Sequence, residues 1–251
     1  MKNPLKICVI ENGKTPDDLI EKFGSYPEMI ANWIKPSLPE AQFTFVSAVA
    51  GEKLPRPYEY DGYILSGSKF STYEQAPWML ALIAFLQQLR ANKIPVFGIC
   101  FGHQIMADAF GGITAKSPRG WGVGAQLYEY KIDELPTQCS SFIFHQDQVN
   151  KLPPEATVIG GSLHCPNGAF QYDFPALSVQ YHPEFSAEYI TALAKKFRGN
   201  LLADSVSASA LGSIDRLPVE SAVIADWAAK FFRKHAKPIN RHASLGEPYA
   251  N

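Results

Sequence analysis

An apolar strand that runs straight into a glycine-flanked turn and then a helix leaves few folds open. Residues 95–104, Pro-Val-Phe-Gly-Ile-Cys-Phe-Gly-His-Gln, read that way. The stretch 95–99 is apolar throughout, as suits a strand buried on both faces of a parallel sheet. It passes into Gly98-Ile99-Cys100-Phe101-Gly102, the Gly-x-(Ser/Cys)-x-Gly pattern of a nucleophile elbow. Glycines flank the central residue because so sharp a turn leaves no room for side chains. Cys100 would then stand at a helix N-terminus, where unpaired N–H groups and the helix dipole favour a thiolate. The N–H of Phe101 would be one donor to an oxyanion. Taken alone, the pattern equally describes a small core residue at a strand end.

The surrounding sequence supports a parallel sheet. Residues 5–10 form an apolar run broken only by Lys6, which predicts a first strand. Thr15-Pro16-Asp17-Asp18 offers a capping hydroxyl, a proline at the first helical position and acids in the first turn, predicting a helix that runs past Glu28. Residues 43–49 and 62–65 predict two further strands, the latter ending in the turn Ser66-Gly67-Ser68. A helix starts at Pro77, with Leu82, Phe85, Leu86 and Leu89 at helical spacing. Strand and helix in this alternation predict an α/β fold, an open, twisted, mainly parallel sheet with helices on both faces. After Gly120 the pattern turns strand-rich, at 123–132, 141–144, 157–163 and 176–181, with Pro166-Asn167-Gly168 as a tight turn. Two helical stretches follow, 186–198 and 219–235.

No linker or repeat divides the 251 residues, so one domain over 1–251 is expected, with a C-terminal helical extension at about 186–237 and a loose tail at 238–251. Apolar residues at 46% and charged residues at 19% exclude a disordered chain. A net charge of −1 supplies no global attraction for nucleic acid or an anionic membrane. No apolar run reaches the roughly 18–20 residues of a transmembrane helix. The N-terminus reads as a strand rather than a signal peptide, and Cys8, Cys100, Cys139 and Cys165 form no CxxC pair. A cytoplasmic protein with reduced thiols is therefore expected. His164-Cys165 has the look of a ligand pair, but no second pair stands at metal spacing, so neither metal nor cofactor is expected.

A second chemical signal lies at Val179-Gln-Tyr-His182-Pro183-Glu184. In extended backbone positions i and i+2 share a face, so Glu184 could orient His182. His182 could in turn activate Cys100, and Pro183 suits the end of a strand. A histidine at a strand edge is more often merely structural; the elbow is what makes this one a candidate base.

Together, Gly98-Ile-Cys100-Phe-Gly-His-Gln104 and Tyr181-His182-Pro-Glu184-Phe185 resemble the class I (triad-type) glutamine amidotransferase family. His145-Gln-Asp-Gln-Val149 between them is similar to a stretch of GMP synthetase glutaminase domains. The resemblance covers roughly residues 5–190 and implies a flavodoxin-like sheet. It implies Cys100 as nucleophile, His182 as base and Glu184 as its partner, in attack on a side-chain amide through a γ-glutamyl thioester. By the same resemblance Gly67 supplies the second oxyanion N–H beside Phe101. Gln104, Gln146 and Asp147 contact the amino-acid end of the substrate, although Gln104 could instead cap its own helix. His103 fits a packing or hydrogen-bonding role in the elbow helix.

Two departures bear on function. The chain carries no GxxxxGK[ST] phosphate loop, and it continues for some sixty residues past Glu184. Ser117-Pro-Arg-Gly-Trp121-Gly-Val-Gly124 resembles free-standing relatives such as plant γ-glutamyl peptidases, and Trp121 is either a pocket wall or an ordinary loop aromatic. The leading expectation is a self-sufficient hydrolase of a small γ-glutamyl substrate, glutamine or a γ-glutamyl peptide or amine. A glutaminase subunit that passes ammonia to a synthetase partner is the alternative. A non-hydrolytic stress or binding protein is a third reading, disfavoured because binding needs no His-x-Glu pair.

Overall fold

The apolar run near the N-terminus becomes β1 (Leu5–Glu11), whose last five residues are buried. This computed structural model describes residues 4–236. The expected tail at 238–251 lies outside the described residues. After β1 the chain does not form the single helix expected from Thr15 past Glu28. It forms α1 (Asp17–Phe23) and α2 (Tyr26–Ile34). Gly24, at φ +80°, breaks the first, and a reciprocal capping box between Ser25 and Glu28 starts the second. The N-cap of α1 is Pro16, and the Thr15 hydroxyl instead donates to the Gly24 carbonyl at 3.0 Å, tying the ends of α1 together.

Next come β2 (Ala41–Ser47), β3 (Gly62–Leu65), α3 (Pro77–Ala91), β4 (Val96–Ile99) and α4 (Phe101–Ala109). Then β5 (Ile113–Lys116), β6 (Gly122–Tyr130), β7 (Gln138–His145), β8 (Asp147–Lys151), β9 (Ala156–Gly161), β10 (Ala169–Tyr172) and β11 (Ala176–Val179) follow. The chain returns to helix in α5 (Ala187–Lys196), α6 (Asp204–Arg216) and α7 (Ser221–His235). Among the described residues three helices, not two, thus follow Glu184. The sequence hides α6 because its apolar stripe is thin: only Ser207 and Ala210 are fully buried, with Val206 and Ile214 partly so. Strands β5, β8 and β10, of four or five residues each, were also unmarked.

Nine strands form one sheet in the order β2-β1-β3-β4-β11-β10-β9-β6-β7, and β5 pairs with β8 in a separate ribbon. Pairing is parallel from β2 to β11 and antiparallel from β11 to β7. The fold is α/β with a mixed sheet: the parallel half follows the early strand–helix rhythm, the antiparallel half the strand-rich stretch after Gly120.

Helices cover both faces. Ile30 and Ile34 of α2 join Trp227, Ala228 and Phe232 of α7 over one face, and Leu82, Phe85, Phe101 and Ile105 of α3 and α4 cover the other. The last three helices belong to this same packing. Tyr189, Ile190 and Leu193 of α5 pack on Phe142 and Phe185, the Ser213 hydroxyl of α6 accepts the Ala125 N–H at 2.9 Å, and Trp227 of α7 meets Phe97 at 6.0 Å between ring centroids.

Candidate active site

The strand-to-helix turn between β4 and α4 is as tight as its glycines suggest. A Cβ at Gly98 would lie 2.5 Å from Met106 Sδ, and one at Gly102 would lie 2.6 Å from the Leu65 carbonyl oxygen. Between them Cys100 takes φ +51° and ψ −101°, a conformation that costs a non-glycine residue on the order of 1–3 kcal/mol. The surrounding strands hold it there: the Cys100 N–H donates to the Val179 carbonyl at 2.8 Å, and its carbonyl accepts the Gln104 N–H at 3.1 Å. The thiol is thereby presented at the first turn of α4, whose N–H groups have no intrahelical acceptors.

Strand β11 runs parallel to β4, with Val179 opposite Ile99, so its continuation delivers His182 beside Cys100. The His182 N–H donates to the Phe142 carbonyl at 2.7 Å, which anchors the segment to β7. His182 Nδ1–H donates to Glu184 Oε1 at 2.7 Å, and both side chains are almost wholly buried. This contact fixes the tautomer and turns Nε2 to the remaining side of the ring. Phe185 stacks on the imidazole at 3.9 Å and 5°. Burial pulls the His182 pKa down, but the charges of Glu184 and Cys100 and hydrogen bonds to both outweigh it and push it up to about 10. A cationic imidazole between a carboxylate and a sulfur is the state these surroundings favour.

Gly67 closes the other side. A Cβ there would stand 2.7 Å from His182 Cε1 and 3.6 Å from Cys100 Cβ, so only glycine allows the turn this close. The turn is braced by Asn12, whose backbone N–H donates to Ser66 Oγ and whose Nδ2 donates to the Ser66 carbonyl, each at 2.9 Å. Gly67 and Phe101 thus flank Cys100 from the carboxyl ends of neighbouring strands, where ligands of open α/β sheets bind.

A cavity of about 290 Å³ opens over Cys100 and takes in Gln104, Gln146, Asp147 and His182. Gln104 is buried, and its Nε2 donates to the Asp147 carbonyl at 2.9 Å and to Gln180 Oε1 at 3.1 Å. The Asp147 carboxylate accepts the Ser71 hydroxyl at 2.6 Å, which joins β8 to the loop after Gly67. Gln180 is a residue sequence reading missed: its Nε2 donates to Cys100 Sγ at 3.6 Å. The period-two face shared by His182 and Glu184 includes position 180, so that signal was available.

Other histidines and cysteines are placed differently. His103 Nε2–H donates to the Asn167 carbonyl at 3.1 Å and Nδ1 accepts the Ser178 hydroxyl at 2.8 Å, inside the core. Burial drives the pKa of His103 down to about 3, and burial with the neighbouring His164 and His182 does the same for His145. Burial above all pushes the thiols of Cys8, Cys139 and Cys165 up to about 12, which keeps them protonated and inert. Among the described residues no cluster of three or more His, Cys, Asp or Glu side chains could hold a metal ion, and no helix is long and apolar enough to cross a membrane.

An open α/β sheet with a strained cysteine elbow and an adjacent His–Glu pair defines a class of protein, and the comparisons agree with it. The glutamine amidotransferase class-I family matches residues 23–197, and the chain belongs to that family of enzymes. Gamma-glutamyl peptidase 3 of Arabidopsis thaliana is 31% identical over 143 residues, 53% of this chain and 57% of that protein. The carbamoyl phosphate synthase small chain of Zymomonas mobilis is 31% identical over 187 residues, 71% of this chain and 46% of that one. The chain spans little more than half the length of the first curated relatives it matches. Among solved structures, a glutamine amidotransferase of Thermotoga maritima aligns with a TM-score of 0.74 at 21% identity, covering 94% of this chain and all of that one, a likeness of fold.

Proposed function

We propose that the protein hydrolyses a γ-glutamyl amide bond, with Cys100 as nucleophile, His182 as the proton carrier and Glu184 as the group that orients and charges it. The observation that carries this reading is the buried His182–Glu184 contact at 2.7 Å beside a cysteine held at φ +51°. A structural cysteine and histidine would need neither the strain nor the burial of a charged pair.

The thiolate of Cys100 attacks the γ-carbonyl carbon, and the oxygen takes up negative charge within reach of the Gly67 and Phe101 N–H groups. The C–N bond breaks as His182 passes its proton to the departing nitrogen, leaving a γ-glutamyl thioester. Water then attacks the thioester and gives a proton back to His182. Glutamate departs, and thiolate and imidazolium are restored. Overall, one amide and one water yield glutamate and an amine, or ammonia where the substrate is glutamine. Gln146 and Asp147 hold the α-amino and α-carboxylate end, with Gln104 holding the Asp147 backbone in place.

Assay of the isolated protein for glutamate release from glutamine and γ-glutamyl compounds tests this. Release abolished by Cys100→Ala is the expected result. Two relatives named as synthase chains, the carbamoyl phosphate synthase small chain and a GMP synthase of Thermosipho africanus, favour a second reading, in which the ammonia feeds a partner. Activity that appears only when a synthetase is added would select that reading.

A further inference from the structure

The position of His182 marks where the leaving group must lie, because the departing nitrogen has to receive the His182 proton. Through Phe185, which stacks on the imidazole, His182 adjoins an apolar part of the cavity lining that continues into Leu193, Phe144 and Phe197. Trp121 and Phe144 meet at 5.5 Å and Phe144 and Phe197 at 5.8 Å between ring centroids. Leu193 and Leu201 line the same cavity, along with Phe185 stacked on the imidazole. The rest of the lining is more polar: Gln104, Gln146 and Asp147 belong to it with Ser68 and Ser71, beside Phe70, and Lys116 stands opposite Asp147 in the register of the β5–β8 ribbon. An ammonia leaving group has no use for such a wall. Leu201 is 45% exposed, and in a folded chain an apolar side chain at the mouth of a reactive cavity gains most by covering an apolar ligand. Leu201 also lies beyond residues 23–197, the part matched by the family, so this corner belongs to the chain's own extension.

Resting on the proposed γ-glutamyl hydrolysis, we infer that the preferred substrate is a γ-glutamyl conjugate of a single ring-bearing or similarly bulky apolar amine or amino acid, with Phe144, Phe197 and Leu201 as its specificity-determining residues. The cavity of about 290 Å³ lies at the small end for ligand sites, which suits one ring beside the glutamyl group rather than a longer peptide. Water attacks the same thioester whatever has left, so the wall acts on binding and acylation. Its effect therefore falls on kcat/KM.

The test compares kcat/KM for γ-glutamylphenylalanine, γ-glutamylglycine and glutamine, in the wild type and in Leu201→Ala and Phe197→Ala. Phenylalanine should exceed glycine by about tenfold or more, the range one apolar group commands in an apolar pocket. Each variant should lose at least about fivefold more on γ-glutamylphenylalanine than on γ-glutamylglycine, somewhat less than a whole apolar group commands because each removes only part of the wall. Leu201, being half-exposed, can be truncated without opening the core, and an unchanged thermal midpoint confirms that. Glutamate released from all three compounds without preference, or equal losses on all three in the variants, overturns the inference and leaves the hydrolase reading standing. No glutamate from any of them, with Cys100 still open to alkylation, removes both.

Discussion

Of the four cysteines, only Cys100 combines an elbow, a neighbouring imidazole of raised pKa and an opening to a cavity; the other three are buried thiols pushed up to about 12. Brief treatment of the folded protein with iodoacetamide at neutral pH should therefore alkylate Cys100 alone, read by peptide mass spectrometry, and Cys100→Ala should leave the protein unlabelled. Modification of Cys165 or Cys139 at a comparable rate would show that the elbow does not set the reactivity. Glu184→Gln keeps a hydrogen-bond acceptor for His182 Nδ1–H but removes the charge that raises its pKa. It should lower kcat by about 10²–10⁴ while Cys100→Ala removes turnover altogether, since a disturbed base still leaves the nucleophile and the oxyanion donors in place. Equal loss in the two variants would mean that Glu184 does more than orient and charge the base.

At the scale of elements, the site depends on how closely β4, α4 and β3 approach. Gly102→Ala would put a Cβ 2.6 Å from the Leu65 carbonyl oxygen, a backbone atom that cannot step aside on its own. The variant should lose about 1–3 kcal/mol in urea unfolding, as overpacked cores do, and should alkylate more slowly at Cys100 because the elbow shifts. An unaltered midpoint would mean the turn is looser than its contacts imply. Helix α5 depends on its own cap, where Ser186 Oγ accepts the Tyr189 N–H at 3.1 Å immediately after the His182–Glu184 segment. Ser186→Ala should cost about 1 kcal/mol of stability, with Ser186→Gly costing only a few tenths.

For the whole molecule, buried histidines give the stability profile opposing arms. His103 and His145 are held neutral, with pKa values near 3 against 6.5 when unfolded, so the unfolded chain binds more protons and stability is lost as pH falls from about 6.5 towards 3. His182 is raised to about 10, so its contribution is complete below about 6.5 and is lost as pH rises through about 10. Urea midpoints between pH 4 and 10 should pass through a maximum, and Glu184→Gln should flatten the alkaline arm while leaving the acid arm. An alkaline arm unchanged in that variant would assign it to other groups. The packing of α5, α6 and α7 on the sheet leads us to propose that the chain unfolds as one unit; limited proteolysis that releases a stable C-terminal piece would refute this.

The features legible in the chain without its fold are local ones. Gly98 and Gly102 around Cys100 are legible because steric exclusion acts within a few residues. His182 and Glu184 share a face because the period of extended backbone is two, and the early parallel strands stand out because burial on both faces demands unbroken apolar runs. The family resemblance read from those same motifs agrees with the match over residues 23–197. The remaining features come from long-range packing. Pairing of β11 with β4 brings position 182 to position 100, a matter of how the whole sheet orders its strands. The break at Gly24 won over the helical pattern around it because a capping box satisfies the orphaned N–H groups of a second helix start. Helix α6 carries only a thin apolar stripe and is held by β6 and α5, and the apolar wall beside His182 exists only because α5 and the segment after it fold back over Phe144. Contacts between residues far apart in the chain leave no period in the sequence, because they are set by what each surface finds to bury against.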